Sequence, residues 1–188
     1  GQSDGAAWRA EIESGTSLTA LLGNKDGYFE ADAGMRKPDV LMPPSLAHPR
    51  LLAANAGEYL VQVGARVHNY GLGDMTGLQL HAMVTHDGST LYDQSSATFS
   101  LDSGESSFIT LPDYSEVAFN GRYELIYTLA TGIADEHAMD NTVTIPFTFD
   151  DVYALAPIDA TTGIPTTTIG IQPVNSTGEY ESCVHFRD

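Results

Sequence analysis

Apolar and polar residues alternate with a period of two through the middle of the chain. In the run from Glu58 to Asn69, Tyr59, Val61, Val63, Ala65 and Val67 share one face, and Gln62, Arg66 and His68 share the other. Successive side chains of a strand point to opposite faces, so this pattern predicts a half-buried β-strand. Leu78, Leu80, Ala82 and Val84 repeat the pattern, and so do Tyr123, Leu125, Tyr127 and Leu129. Val143, Ile145, Phe147 and Phe149 form the last alternating set. Between them lie turn signals. His86-Asp87-Gly88-Ser89 predicts a hairpin, because Asp-Gly tolerates the positive φ of a tight turn, with Thr90 to Tyr92 pairing back. Asp102-Ser103-Gly104-Glu105 separates a strand over 97–101 from one over 106–111. About seven or eight short strands with frequent turns predict an all-β protein, an antiparallel two-sheet β-sandwich.

The flanks read differently. Residues 3–15 suggest a short helix with Ser3 as N-cap and Gly15 just past its end. Asn24 to Gly27 reads as a turn, and Trp8, Leu18, Leu21, Leu22 and Phe29 need burial on this domain or on a neighbour. Pro38, Pro43, Pro44 and Pro49 exclude a central strand, since proline has no N–H for the ladder. That stretch is expected to be a linker entering an edge strand near Asp39 to Met42. Residues 151–178 are rich in Thr, Pro and Gly and read as an extended linker. Alternation resumes at Tyr180, Ser182, Val184 and Phe186, which predicts a terminal strand in need of a partner. The expected organisation is an N-terminal arm or end of a preceding module (1–37), a sandwich (38–150), and a linker with a terminal strand that could begin a following module (151–188).

Charge narrows the partners. Twenty-five acidic residues against 8 basic ones give a net charge of −17. Such a surface repels phosphate backbones and anionic lipids, so no nucleic acid is expected as a partner. No apolar run reaches the length of a membrane helix, so no membrane insertion by a helix is expected. Lysine is scarce, at Lys25 and Lys37 alone. The single Cys183 cannot form an internal disulfide. The six histidines make no H-x-H or H-E-x-x-H motif, and no G-x-S-x-G elbow is present, so no catalytic residues are assigned. Tyr70, Tyr92, Tyr114 and Trp8 are the aromatics that carbohydrate binding would use if they were exposed.

Two stretches invite cation chemistry. Asn24-Lys25-Asp26-Gly27 looks like half of a calcium loop, and a turn with Gly27 in a left-handed conformation explains it as well. The second stretch is richer in acids. Asp135, Glu136, Asp140 and Asn141 gather hard oxygen atoms just before the last strand, as a calcium site does. The spacing is not that of an EF-hand loop. A solvated turn, with Asp140 or Asn141 bonding nearby amides, explains the same residues without metal. Calcium is thus the one candidate cofactor, and a small stabilisation by it is the expectation.

Four motifs in order give the sandwich a resemblance. Lys37-Pro38-Asp39-Val40, Val67-His68-Asn69-Tyr70-Gly71, Leu101-Asp102-Ser103-Gly104-Glu105-Ser106, and Gly121-Arg122-Tyr123 followed by Asp135 to Thr142 are in the chain. They resemble the opening Pro-Asp-Leu, the V-x-N-x-G strand end, the L-x-x-G-x-S turn and the G-x-Y strand with its acidic turn of the CARDB family. This is the cell-adhesion-related, Ig-like domain of bacterial surface proteins. Asp140 stands where the family has the first Asn of a pair. The resemblance implies an Ig-like sandwich with extended arms inside a larger secreted, multidomain surface protein. It implies a non-catalytic role in spacing, adhesion or assembly, at the cell surface. The partners expected are neighbouring domains or identical subunits met through terminal strands, or a surface polysaccharide or protein. A calcium-dependent or carbohydrate-binding module, or an auxiliary domain of a secreted hydrolase, is the alternative.

Overall fold

A computed structural model describes residues 9–15 and 25–156, and its long strands form where the alternation places them. In chain order they are β1 (Ala33–Gly34), β2 (Ala47–Pro49), β3 (Val61–Asn69), β4 (Met75–His86), β5 (Ser89–Ser95), β6 (Phe99–Leu101), β7 (Ser106–Tyr114), β8 (Gly121–Ala130) and β9 (Thr142–Asp150). One sheet has the order β1-β3-β7, and the other β2-β9-β8-β4-β5. β6 continues the β5 edge by pairing with the start of β4. The protein is therefore an all-β sandwich, as the alternation predicts. All pairs are antiparallel except β2 with β9, where Ala47, His48 and Pro49 run beside Thr148, Phe149 and Asp150.

The inward faces are the predicted ones. Val63, Val67, Leu80, Leu125, Tyr127 and Phe147 are all buried between the sheets. Burying each such side chain contributes roughly 1.5–3 kcal/mol before entropy is counted. The β4–β5 hairpin turns at Asp87 (φ 48°) and Gly88 (φ 77°), so both turn residues are left-handed, as the Asp-Gly signal requires. Tyr127 ties the sheets together: its hydroxyl donates to the Leu41 carbonyl at 2.8 Å and accepts from the Gly64 N–H at 3.2 Å. A side chain at position 64 would stand 2.7 Å from the Ile109 carbonyl, so the close approach of β7 needs glycine there.

The expected strand near Asp39 to Met42 is corrected. Lys37–Asp39 is a 3₁₀ turn with proline in its first turn. After it the chain makes one bridge, Val40 to Ala65, and one bond from the Leu41 N–H to the Gly64 carbonyl. Prolines at 38, 43 and 44 remove the N–H groups that a longer ladder would use. Residues 35–47 instead form a strap from one end of the sandwich to the other. It starts where the Met35 N–H donates to the Asp140 carbonyl and finishes in β2 against the end of β9.

The strap defines two poles. The entry pole holds the end of β3, the start of β4 and β7, and the start of β9, with residues 25–34 lying across it. The exit pole holds the end of β4 and β9 and the start of β3, β5 and β8. There Ala154 bridges to Ala47 outside β2, with N–H···O bonds of 2.9 and 3.0 Å. Residues 25–37, read from sequence as an arm, pack on the sandwich: Asp32, Ala33 and Met35 are buried, and β1 pairs with the end of β3. Residues 9–13 are helical and Gly15 follows at φ 87°, as expected for the end of the helix read over 3–15; its N-cap, Ser3, lies outside the described residues. Trp8, Leu18, Leu21, Leu22, Cys183 and the terminal strand over 179–188 lie outside the described residues.

Candidate cation site at the entry pole

The motifs behind the resemblance meet at the entry pole, for reasons the geometry supplies. Asn69, at the end of β3, is buried and bonds in every direction. Its amide donates to the carbonyls of Gly73, Leu101 and Asp102 at 2.9, 3.1 and 3.0 Å, and its Oδ1 accepts from the Gly71 N–H at 2.9 Å. One side chain thus pins the β3–β4 connection to the turn that starts β7. Gly71 must be glycine because a Cβ would meet the Glu30 carbonyl at 2.7 Å and the Asp32 nitrogen at 2.9 Å. In the 102–105 turn Gly104 has φ 74°, and the Glu105 N–H donates back to the Asp102 carbonyl at 3.0 Å.

The acidic turn completes this end. Asp135 Oδ1 accepts from the His137 N–H at 2.7 Å, and Oδ2 accepts from the Ala33 N–H at 3.2 Å and the Asn141 amide at 3.1 Å. Glu136 Oε2 accepts from the Glu30 N–H at 3.2 Å. Asp140 lies at the end of a 3₁₀ turn, Ala138–Asp140, and its carboxylate faces Lys25. Of the four residues singled out from sequence, Asp135 and Asn141 are joined directly. Glu136 turns to the backbone at residue 30, and Asp140 turns to a lysine.

Sequence reasoning missed Asp32, and it read the stretch 24–27 as a separate half-loop without joining Lys25 to the acidic turn. Lys25 Nζ donates to Asp32 Oδ1 at 3.0 Å and to Asp140 Oδ2, and lies 4.0 Å over the centre of the Tyr70 ring. Asp32 has no exposed surface at all. Burial raises its carboxyl above the usual range; Lys25 opposes this, and the charges of Asp140 and Asp135 add to it. One ammonium therefore meets a surplus of negative charge. Asp32 Oδ2, Asp140 Oδ1 and Asn141 Oδ1 are buried without a hydrogen-bond partner in the protein. Two signals in the sequence could have pointed here: the scarcity of lysine, and a lone Asp set in Ala31-Asp32-Ala33-Gly34-Met35. Among the described residues no three His, Cys, Asp or Glu side chains converge as a metal-binding group.

Beside this site is a cavity of about 180 Å³ lined by Asp26, His68, Asn69, Tyr70, Leu72 and Ser103, among others. His68 stacks on Tyr70 with centroids 5.3 Å apart, and burial pushes the Tyr70 hydroxyl up to about 12. The aromatic expectation for carbohydrate is corrected here. Tyr70, Tyr92 and Tyr114 are buried, not exposed. Tyr92 donates to the Pro112 carbonyl at 2.6 Å and Tyr114 to Glu116 at 2.8 Å, so each ring serves the core and each hydroxyl has its own task, save that of Tyr70. Among the described residues no helix is long and apolar enough to cross a membrane.

No family model and no curated protein matches the sequence. In structure the chain is similar to the CARDB domain of the PF1109 protein in complex with di-metal ions from Pyrococcus furiosus. That likeness covers 65% of this chain and 96% of that one, at 14% identity and a TM-score of 0.46. A solution structure of the same domain is similar at the same identity and coverage, with a TM-score of 0.42. This is the family that the sequence motifs resemble.

Proposed function

We propose that this chain is a non-catalytic β-sandwich module of an extracellular bacterial surface protein, and that it spaces the parts of that protein on either side of it. One observation carries the reading: Lys25 and Ala154, near the two ends of the described sandwich segment, lie at opposite poles. Lys25 lies beside Asp140 at the start of β9, and Ala154 lies beside β2 at its end. At about 3.3 Å per residue, the nine residues of β9 separate these points by roughly 27 Å. Tension between the arms is then directed along the strands, across two sheets that share one packed core. Adhesion or assembly follows from what the module holds apart, with the arms docking against its neighbours.

Spin labels at Tyr28→Cys and Val152→Cys, in a Cys183→Ser background, test this by dipolar spectroscopy. Both positions are exposed. A narrow distance distribution centred at roughly 25–40 Å, allowing for the label linkers, is expected from the length of the strands. A broad distribution, or one centred near 15 Å or below, would remove the basis of the spacing role.

A further inference from the structure

We infer that Lys25 and Asp140 join covalently, the Lys25 amine forming an isopeptide bond with the Asp140 carboxyl while Asp32 relays the protons. Three features of the entry pole carry this. The first is proximity. Lys25 Nζ is in direct contact with Asp140 Oδ2, although the two residues are 115 positions apart in the chain. The Asp140 carboxylate packs so closely on Gly34 that a Cβ at position 34 would overlap it. An amine held against a carboxyl in this way needs no encounter, and well-oriented pairs reach effective molarities of about 10⁵–10⁸ M. The second feature is a buried acid on the same nitrogen. Asp32 has no exposed surface; one of its oxygens accepts from Lys25 Nζ at 3.0 Å and the other has no partner. Burial raises its carboxyl, so it takes up a proton more readily than a surface carboxylate does. The third is exclusion of water. The side chains of Lys25 and Asp140 are only 20% and 19% exposed, and the Tyr70 ring covers Nζ at 4.0 Å. Water is the reagent of the reverse reaction, so a covered site protects the bond once it forms.

The atoms balance without a co-reactant. Asp32 takes one proton from the Lys25 ammonium, which frees the nitrogen lone pair. Nζ attacks Asp140 Cγ, the N–C bond forms, and the electron pair of the C=O moves onto oxygen. One Asp140 oxygen receives the proton that Asp32 holds. Asp32 then takes a second proton from Nζ and passes it to that hydroxyl; the C–O bond breaks and water leaves. One proton remains on the amide nitrogen, and Asp32 ends as it began. The opposite charges of Lys25 and Asp140 are gone, which removes the cost of burying both. The reaction occurs once in each chain and takes no outside substrate, which is compatible with a non-catalytic module. The ion-paired form described above is the state before the bond closes, and Asp32→Asn holds the chain in it. The mechanical use of the bond rests on the proposed spacing role; the bond itself does not. Residues 25–140, with β1 to β8, lie inside a closed covalent ring. A pull between residue 25 and Ala154 then runs through the amide and β9 alone. Closing a ring of that length also restricts the unfolded chain, as a long-loop disulfide does.

Intact-mass spectrometry of the full chain under denaturing conditions tests the bond. The wild type is expected to be lighter than its sequence by one water molecule, and proteolysis to release a branched peptide that joins Lys25 to Asp140. Lys25→Arg, which keeps the positive charge, and Asp140→Ala are expected at full mass. Asp32→Asn is also expected at full mass, with a melting transition that shows it to be folded. A wild type at full mass overturns the inference whatever the variants do. Water loss that persists in Lys25→Arg, or that comes without the branched peptide, would belong to another reaction, such as succinimide formation at Asp140, and would overturn it too. Joining in Asp32→Asn to the same extent and at the same rate as in the wild type would overturn the proton relay. The spin-label distance tests the spacing role separately, so each reading can fail without the other.

Discussion

At the entry pole a buried carboxylate, an ammonium and a second carboxylate hold the chain, with oxygen atoms left over. At the exit pole the holding groups are mainly rings, with one exposed ion pair, Arg50 to Asp151 at 3.3 Å. Phe149 lies 4.4 Å from Phe119, 4.8 Å from Tyr59 and 5.6 Å from Tyr123, centroid to centroid, and His48 packs 4.7 Å from Tyr59. The few polar atoms there are matched: the Tyr59 hydroxyl donates to the Ser45 carbonyl at 2.7 Å, and Ser45 Oγ and His48 Nδ1 lie 2.9 Å apart. The two ends do the same mechanical job with forces of different range. Aromatic packing is short-ranged and indifferent to salt, so it fixes the end it holds. Charge attraction is weakened by ions, so it leaves its end responsive until the amide forms.

The largest effect should come from the aromatic side. Phe149→Ala leaves a ring-sized cavity among five ring neighbours and should cost about 3–5 kcal/mol in denaturant unfolding. A loss under about 1 kcal/mol would show that the exit pole is not where the core is densest. Leu125→Ala, midway between the poles and fully buried, should fall in the range of about 2–5 kcal/mol.

Lys25→Met comes next and sharpens the contrast. It strands Asp32 in a buried position, but Lys25 and Asp140 are each about a fifth exposed, so solvent screens part of the loss. Against the ion-paired form, about 1–3 kcal/mol is expected, below the 3–5 kcal/mol of a fully buried pair. The double variant Lys25→Met/Asp32→Asn should recover much of it, because the uncompensated charge is gone. Additive losses in that cycle would mean that the two side chains do not act as a pair. Tyr59→Phe, which removes one hydroxyl from the exit pole, should cost about 1 kcal/mol.

The smallest effect is in pH. Burial against Tyr59, Phe149 and Tyr153 holds His48 below its ordinary 6.5, so its neutral form belongs to the folded state. Its contribution is complete above pH 6.5 and is lost as pH falls through the lowered folded value. Asp39 has the same sign at lower pH. Burial pushes it up, but the Arg36 N–H and side chain outweigh burial and hold it below 3.8, so stability is lost as acid protonates it. Asp32 runs the other way: its raised carboxyl is better tolerated protonated, and its contribution declines as pH rises through the folded value. Unfolding measured from pH 7 downward should thus lose stability first through His48, and His48→Phe should flatten that first decline. A decline unchanged in His48→Phe would assign it elsewhere.

The contrast also separates what the sequence makes legible from what it hides. β3, β4, β8 and β9 are legible because a sheet with one buried face imposes a period of two, and Tyr123 to Leu129 obey it without a break, as Val61 to Val67 do apart from the buried Gly64. The Asp87-Gly88 hairpin is legible because only certain residues adopt its φ values. β2 is not, since three residues ending in proline carry no period, and its parallel pairing is decided by the strap and by β9. Tyr70, Tyr92 and Tyr114 mislead because a tyrosine in or beside a turn reads as exposed, whereas its ring can reach inward and leave only a hydroxyl to satisfy. At the cation site the acids before β9 are visible as a cluster. Their partner is 115 residues away in the chain, and no local pattern links Lys25 to Asp140.

Amide exchange at the two poles of the ion-paired form, at low and at high salt, addresses the division between them most directly. Gly27 and Tyr28 report the entry pole, and Phe119 and Ala154, whose N–H groups donate to the Ala53 and Ala47 carbonyls, report the exit pole. Raising NaCl to about 1 M shrinks the screening length to about 3 Å. Exchange at Gly27 and Tyr28 should then accelerate while Phe119 and Ala154 keep their protection. Equal acceleration at both poles, or none at the entry pole, would contradict the account that one end is held by charge and the other by packing.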